Sequence, residues 1–342
     1  MEAILSDRPS KEKMTIVRVA KAADVSVATA SKALNNTGRM KQETRDRVKR
    51  IARELNFRPN ALARSLVSRR SFAVGLLTND TYGRFTLPVM AGISAGLIDQ
   101  GVSVFLCSMD DNRELAQIHV DAMLERQVDG IIATGRRIDT PLPVDLSHLP
   151  IPVVYALTKG SDDAVTLLPD EKQGAREAVS HLVAIGRRRI AHITGPASFQ
   201  VVSDRAGAYA QVLQEAGLDV PQQGLLQGQW SELWGHEAVD RLWSAPGAKP
   251  DGLFCGNDQI ARGAIDALRE RGVDVPADVS VVGFDNWEIV AAQTRPPLTT
   301  IDMNLKELGR QAGLQLMRQV NGEAFEPGLI RLPCELVVRQ SS

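Results

Sequence analysis

"TIVRVAKAADVSVATASKALNN", residues 15–36, contains two short helical patterns separated by a three-residue turn. Thr15 is placed to cap a first helix over Ile16–Ala23, with Val19 and Ala23 on one face. Ser26 is placed to cap a second helix running to about Leu34, its Oγ accepting a free backbone N–H of the first turn. Ala-Asp-Val lies between them. This is helix-turn-helix spacing, in which the second helix enters the major groove of DNA. Such a turn ordinarily takes Gly because its backbone goes left-handed. Asp24 is one of the few other residue types that tolerates this. A third helix is predicted from about Gln42 to Leu55, with Val48, Ile51 and Leu55 on its apolar face.

The small side chains of the second helix fit a groove. A major groove about 12 Å wide admits a helix only if its leading face is slim. Val27 and Ala28 can touch thymine methyls but cannot hydrogen-bond base edges. Lys32, one turn further on, can reach guanine O6 and N7. Ser26, Thr29, Ser31 and Asn35 are short donors suited to phosphate oxygens. Ordinary packing against neighbouring helices is the competing explanation, and it is the one expected for Ala30 and Leu34.

Charge points the same way. The chain has 342 residues and a formal net charge of −1. Residues 14–70 carry fourteen Lys/Arg against four Asp/Glu, a net of +10; residues 1–13 balance, so 71–342 carries −11. A basic head on an acidic body implies nucleic acid as the head's partner.

Residues 15–66, TIVRVAKAADVSVATASKALNNTGRMKQETRDRVKRIARELNFRPNALARSL, resemble the DNA-binding head of the LacI/GalR family of bacterial transcription regulators. The resemblance implies that Val27 and Ala28 are the main base readers, with Thr15, Arg39 and Thr44 as further DNA contacts. Lys32 stands where the family often has Arg, so one ammonium replaces a bidentate fork. Lys41 stands where Ser commonly caps the third helix, and Lys cannot accept that bond. The stretch RPNALARSLV, 58–67, corresponds to the family's hinge helix. The resemblance implies that this helix orders on operator DNA and pairs with its twin. Leu66 then wedges into the minor groove, with Asn60 and Ala63 beside it. The domains expected are a tail at 1–13, the head at 14–58, the hinge at 59–70 and a body at 71–342.

The body alternates apolar runs with helical patterns: FAVGLL, VSVFLC, GIIAT, PVVYA, RIAHIT, GLFC and VSVVGF, with helices including 171–186, 203–217, 258–271 and 304–320. Near-continuous apolar strands separated by helices imply parallel sheets covered on both faces. Seven or more strands fit two doubly wound α/β subdomains. Their expected extents are about 71–158 with 304–321, and 159–303 with 322–342. Ligands in such folds bind beyond the carboxyl ends of the strands.

Polar and aromatic residues stand at those ends. Asn79 and Asp80 follow the first run, with Tyr82, Arg84 and Phe85 in the loop. Thr134 and Arg136 follow GIIAT, Asn257 and Asp258 follow GLFC, and Asp285 and Trp287 follow VSVVGF. Asp170, Arg205 and Trp230 join the candidates. Carboxylates and an Arg fork suit vicinal hydroxyls, and an indole suits the apolar face of a pyranose. Asp258 is expected to cap its own helix. Residues 252–290 and 295–309 also resemble the family's effector domain, which shares the fold of periplasmic sugar-binding proteins. That resemblance implies that Arg205, Asn257 and Asp285 hold polar groups of an effector and that Trp230 lines its pocket. The loop reads GRFT at 83–86 where NPFF is frequent.

Other classes fit less well. Gly92-Ile93-Ser94-Ala95-Gly96 matches G-x-S-x-G, but a nucleophile elbow needs a strand directly before Ser. Here Pro88 is expected at the first position of a helix that contains Ser94. The five histidines lack metal-ligand spacing, and no phosphate-binding G-x-x-x-x-G-K-[ST] loop occurs. No enzyme, cofactor or metal is expected. The three cysteines lie far apart in apolar runs, and the N-terminus lacks a signal-peptide pattern, so a cytoplasmic protein with reduced thiols is expected. No apolar heptads close the sequence, so a dimer on a pseudo-palindromic operator is the simplest assembly. The expected function is a repressor of carbohydrate-utilisation genes controlled by a sugar. A nucleobase or nucleoside effector is the alternative, and a sugar-binding protein without DNA function a remoter one.

Overall fold

The computed structural model describes residues 14–35, 38–57, 70–221 and 224–342. The chain divides into two compact units, Met1–Ser71 and Phe72–Ser342.

The first unit contains α1 (Ile16–Ala22), α2 (Val27–Leu34) and α3 (Gln42–Glu54). Val19, Ala20, Ala23, Ala30, Ala33, Val48 and Ala52 form its core, with Ile16, Val25, Leu34, Ile51, Leu55 and Phe57 packed around them. The turn after α1 has a definite geometry. Asp24 N–H donates to Lys21 O, Val25 N–H donates to Ala20 O, and Asp24 has φ 50°. Those two bonds and the left-handed residue make a Schellman cap, which satisfies carbonyls the helix end leaves free. The same cap ends α3 at Asn56, φ 50°, with Phe57 N–H on Ala52 O.

The second unit holds two six-stranded sheets. In the first the order is β11 (Gly328–Leu332), β5 (Val165–Pro169), β4 (Val153–Ala156), β3 (Gly130–Thr134), β1 (Ala73–Thr78), β2 (Ser103–Ser108), all parallel. In the second it is β12 (Glu335–Val337), β10 (Thr299–Asp302), β9 (Ser280–Asp285), β8 (Gly252–Cys255), β6 (Ile190–Thr194), β7 (Leu225–Gln227). There only β12 runs antiparallel among the described pairings. β1 and β3 are buried along their whole length, as the apolar runs predict.

The chain passes between the halves at other points than expected. The change anticipated at 158/159 falls after β5, because residues 165–169 pair with β4. The change anticipated at 321/322 falls after β11, because residues 328–332 pair with β5. β11 is an edge strand with four of its five residues exposed, so its burial leaves no apolar alternation to read.

α4 (Thr86–Leu97) packs on α11 (Leu305–Val320), the last helix of the body. A Cβ at Gly92 would run into the Lys306 carbonyl, and one at Gly309 into that of Val89. The G-x-S-x-G match is therefore a close helix crossing, and Ser94 points to solvent. α4 starts two residues before Pro88 rather than on it. Asp80 causes this, its Oδ2 accepting the N–H groups of Phe85 at 2.8 Å and Thr86 at 2.9 Å. No helix among the described residues is long and apolar enough to cross a membrane.

Candidate functional site

α2 presents two different faces. Ala30 and Ala33 are fully buried, and Leu34 packs beside them. Val27, Ala28, Lys32 and Asn35 are exposed, and Thr29 and Ser31 half-buried. Ser26 caps the helix as predicted, with Thr29 N–H 3.1 Å from its Oγ. Its hydroxyl also meets Thr29 Oγ1 at 2.8 Å. Among the described residues Thr15 makes no side-chain cap on α1, and Lys41 makes none on α3. Thr15 and Arg39 are exposed, and Thr44 is half-buried. Gly38, with φ 72°, lies against the aliphatic stem of Lys32; a Cβ there would sit 3.0 Å from Lys32 Cδ. Asn60, Ala63 and Leu66 fall outside the described residues.

In the body a cavity of about 350 Å³ opens beyond the carboxyl ends of the strands of both sheets. Six of the predicted residues line it: Phe85, Arg136, Arg205, Trp230, Asn257 and Asp285. The others take different places. Tyr82 is 93% exposed. Thr134 is buried at the end of β3. Asn79 is a loop brace: its Oδ1 accepts Arg136 N–H at 3.1 Å and its Nδ2 donates to Asp111 at 2.9 Å. Asp170 caps α6 (Glu171–Ala184), accepting Gln173 N–H at 3.1 Å. Trp287 stacks its ring 5.0 Å from the Arg84 guanidinium rather than facing the cavity.

Arg84, from the loop after the first strand, lines it too, and so do side chains that strand ends did not reveal: Arg137, Asp139, Glu171, Phe199, Val201 and Met303. Arg137 and Asp139 pair within their own loop through Nε at 3.1 Å and Nη2 at 2.8 Å. Arg137 also crosses to Ser198 O at 2.8 Å and lies 4.1 Å from the Phe199 ring centroid. Phe199 meets Trp230 edge-on, centroids 5.7 Å apart. The Trp230 ring lies where a Cβ at Gly195 would be, so Gly195 makes room for it.

Three carboxylates at the cavity are held by guanidinium groups: Asp139 by Arg137, Glu171 by Arg205, and Asp285 by Arg84. Arg205, on α7 (Gln200–Glu215), also donates to Gly256 O and lies 3.6 Å from the Phe284 ring centroid. Burial pushes the Glu171 carboxyl up, against the pull of Arg205. The arrangement is a rigid shell of fixed charges and aromatic rings, suited to ordering hydroxyl groups and stacking a ring.

The expected cap on α9 (Asp258–Glu270) is corrected. Asn257, not Asp258, caps the helix, its Oδ1 accepting Ile260 N–H at 2.8 Å. Asp258 is fully buried and ties β9's end to β10 by accepting Trp287 N–H at 2.6 Å and the Thr300 hydroxyl at 2.5 Å.

Comparison with known proteins places both units. Residues 15–60 match the family described as bacterial regulatory proteins, lacI family, and residues 179–342 match a periplasmic binding protein-like domain. The chain is 33% identical to the HTH-type transcriptional regulator DegA of Bacillus subtilis, over 96% of this chain and 98% of that one. Among solved structures it is similar to the lac repressor dimer bound to operator and the anti-inducer ONPF. That likeness has TM-score 0.70 and 28% identity, over 96% of this chain and 99% of that one. It is also similar to a complex of the transcriptional regulator CelR with cellobiose, with TM-score 0.67 and 27% identity, over 96% of this chain and all of that one. The capped helix pair of the head and the paired sheets of the body thus recur together, in the same order, along nearly the whole length of these relatives. The chain belongs to the LacI family of bacterial transcription regulators.

Proposed function

We propose that this regulator is a repressor of carbohydrate-utilisation genes, released from or recruited to operator DNA by a small sugar bound in the body's cavity. The observation that carries the sugar reading is the cavity itself. It combines carboxylate–guanidinium pairs with the Phe199–Trp230 ring pair in about 350 Å³. That volume sits at the small end of the roughly 300–1,000 Å³ usual for ligand sites, which favours a mono- or disaccharide. The relative CelR, solved with cellobiose, supports the same class. Arg205, Asn257, Asp285, Phe85, Arg136 and Trp230 are the proposed effector contacts.

In the head, Val27 and Ala28 are proposed to meet thymine methyls and Lys32 a guanine edge. Ser26, Thr29, Ser31 and Asn35 would serve the phosphates, with Thr15, Arg39 and Thr44 behind them. A cytoplasmic homodimer reading two half-sites is the matching assembly. A nucleobase or nucleoside is the second effector reading, favoured by the indole of Trp230, on which a planar base could stack.

Operator binding measured with and without mono- and disaccharides, and with nucleosides, tests the proposal. A sugar that shifts operator affinity in the native chain, and not in Asp285→Asn, supports it. A shift by nucleosides alone would move the effector to the second reading. Absence of salt-dependent binding to any promoter fragment would sink the regulator role.

A further inference from the structure

Arg84 stands at the second position of GRFT, where the frequent NPFF pattern has Pro, and it is committed to the opposite half of the body. It stands on the loop after β1, whereas its partners belong to the second sheet and its helices. Its Nη2 pairs with the Asp285 carboxylate, and its Nη1 donates to Gln259 Oε1 at 2.9 Å. Its guanidinium lies 5.1 Å from the Phe85 ring centroid and 5.0 Å from that of Trp287. The two paired side chains are only 14% and 7% exposed.

Both ends of this contact are anchored. Asp80 fixes the first by holding the N–H groups of Phe85 and Thr86. Asp258 fixes the second by holding Trp287 N–H, next to Asp285 and Asn286 with φ 105° and 48°. The pair therefore separates only if the halves of the body move apart or another group takes over. Arg84 Nε and Nη2 have no hydrogen-bond partner among the described residues, Nη2 meeting Asp285 as an ion pair. Burial draws the guanidinium down to about 10, which leaves it charged at neutral pH.

We propose that Arg84 is a tethered occupant of the effector's place on Asp285: it holds the cleft closed in the ligand-free protein, and an effector has to displace it. The inference rests on the assignment of Asp285 to the effector site. Opening a buried ion pair without replacing the lost partner leaves an uncompensated charge. A displacing ligand must therefore bring an acceptor to Arg84 as well as a donor to Asp285. Vicinal hydroxyls, or a hydroxyl beside a carboxylate, supply both at the right spacing. A ligand offering donors alone leaves the guanidinium unpaired, so Arg84 selects against it.

Hydrogen exchange on the full, ligand-free chain tests the clamp. Native protein, Arg84→Met, Asp285→Asn and the double variant are compared over the segments 79–87 and 284–291. Each single variant should speed exchange there on the order of ten-fold, and the double variant should be no faster than the faster single one, because one contact is lost in all three. The same cycle is read on the urea midpoint, so a variant that loosens the whole body still reports whether the two positions are coupled. Unchanged exchange in Arg84→Met, or additive effects in both measurements, would overturn the proposal. The readout needs neither operator nor effector. Failure of operator binding would remove the regulator reading and leave the clamp standing, and additivity would do the reverse.

Discussion

Arg205 grips Glu171 in the interior of the second half of the body, with Nε 2.7 Å and Nη2 2.6 Å from the same carboxylate oxygen. The side chains are 5% and 3% exposed. The pair ties α7 to the first turn of α6, and Arg205 Nη1 donates to Gly256 O. Removing one partner of such a pair leaves a buried charge, at a cost of about 3–5 kcal/mol. Arg205→Ala is therefore expected to lower unfolding stability by that order. Glu171→Gln, which keeps an acceptor, should lower it less, and combining it with Arg205→Ala should add little. Urea unfolding of the three variants checks this. An Arg205 variant thus perturbs the scaffold along with the cavity, so its effect on the effector response is read beside its unfolding stability.

Lys32 is the only charged side chain of α2 and is exposed, and it is the residue proposed above to reach a base edge. Its stem runs past Gly38, and Val27 and Ala28 ahead of it offer only apolar contact. Lys32→Ala should weaken operator binding and also narrow the gap between operator and unrelated DNA, since a base contact typically carries about 1–3 kcal/mol of discrimination. Titration against the operator and a set of single-base variants measures both effects. An equal loss on every sequence, with a smaller salt slope, would make Lys32 a phosphate contact instead.

Much of this was legible before any coordinates. Asp24 in a left-handed turn and Ser26 as a cap follow from local chemistry, which depends on only a few neighbouring residues. Strands such as β1 and β3 were legible because burial on both faces leaves an unbroken run, and β2 carries the same apolar run although it is a largely exposed edge strand. β5, β7, β10, β11 and β12 carry no such run: β7 and β12 have three residues each, β7 and β11 are exposed for most of their length, and Thr interrupts β5 and fills half of β10. At the site, position at a strand's end located the cavity but not the direction of each side chain. Thr134 and Trp287 stand at such ends and point elsewhere. Glu171 reads as an ordinary first-turn acid of a helix, and only the fold brings Arg205 to it from α7.

The edge strand β2 exposes Phe105 by 45% and Leu106 by 42%, one on each face of the sheet's border. An exposed apolar edge of this kind is a template for association unless it is covered. In the homodimer proposed above it is a natural part of the contact. Phe105→Asp with Leu106→Asp should shift the chain to monomer in light scattering after gel filtration. It should weaken operator binding too, because a dimer engages two half-sites and a monomer only one. A double variant that remains dimeric would remove this strand from the interface.

Asp258 links stability to pH. Burial raises its carboxyl from 3.8 to about 7, against the lowering effect of the Thr300 hydroxyl, the Trp287 N–H and Arg84. Between those values the folded chain holds a proton that the unfolded chain has released. The contribution to stability is therefore fully present below about pH 4 and is lost as pH rises through about 7, at up to about 1.4 kcal/mol per pH unit. Asp258→Asn has no such proton to lose. The native-minus-variant difference in unfolding free energy should fall steadily from pH 5 to pH 7 and then flatten. Subtracting the variant also cancels His192, whose burial lowers it to about 4 and which acts in the opposite sense. Parallel curves for the two proteins across pH 5–8 would show that Asp258 stays ionised, held by Arg84 and Thr300 despite its burial.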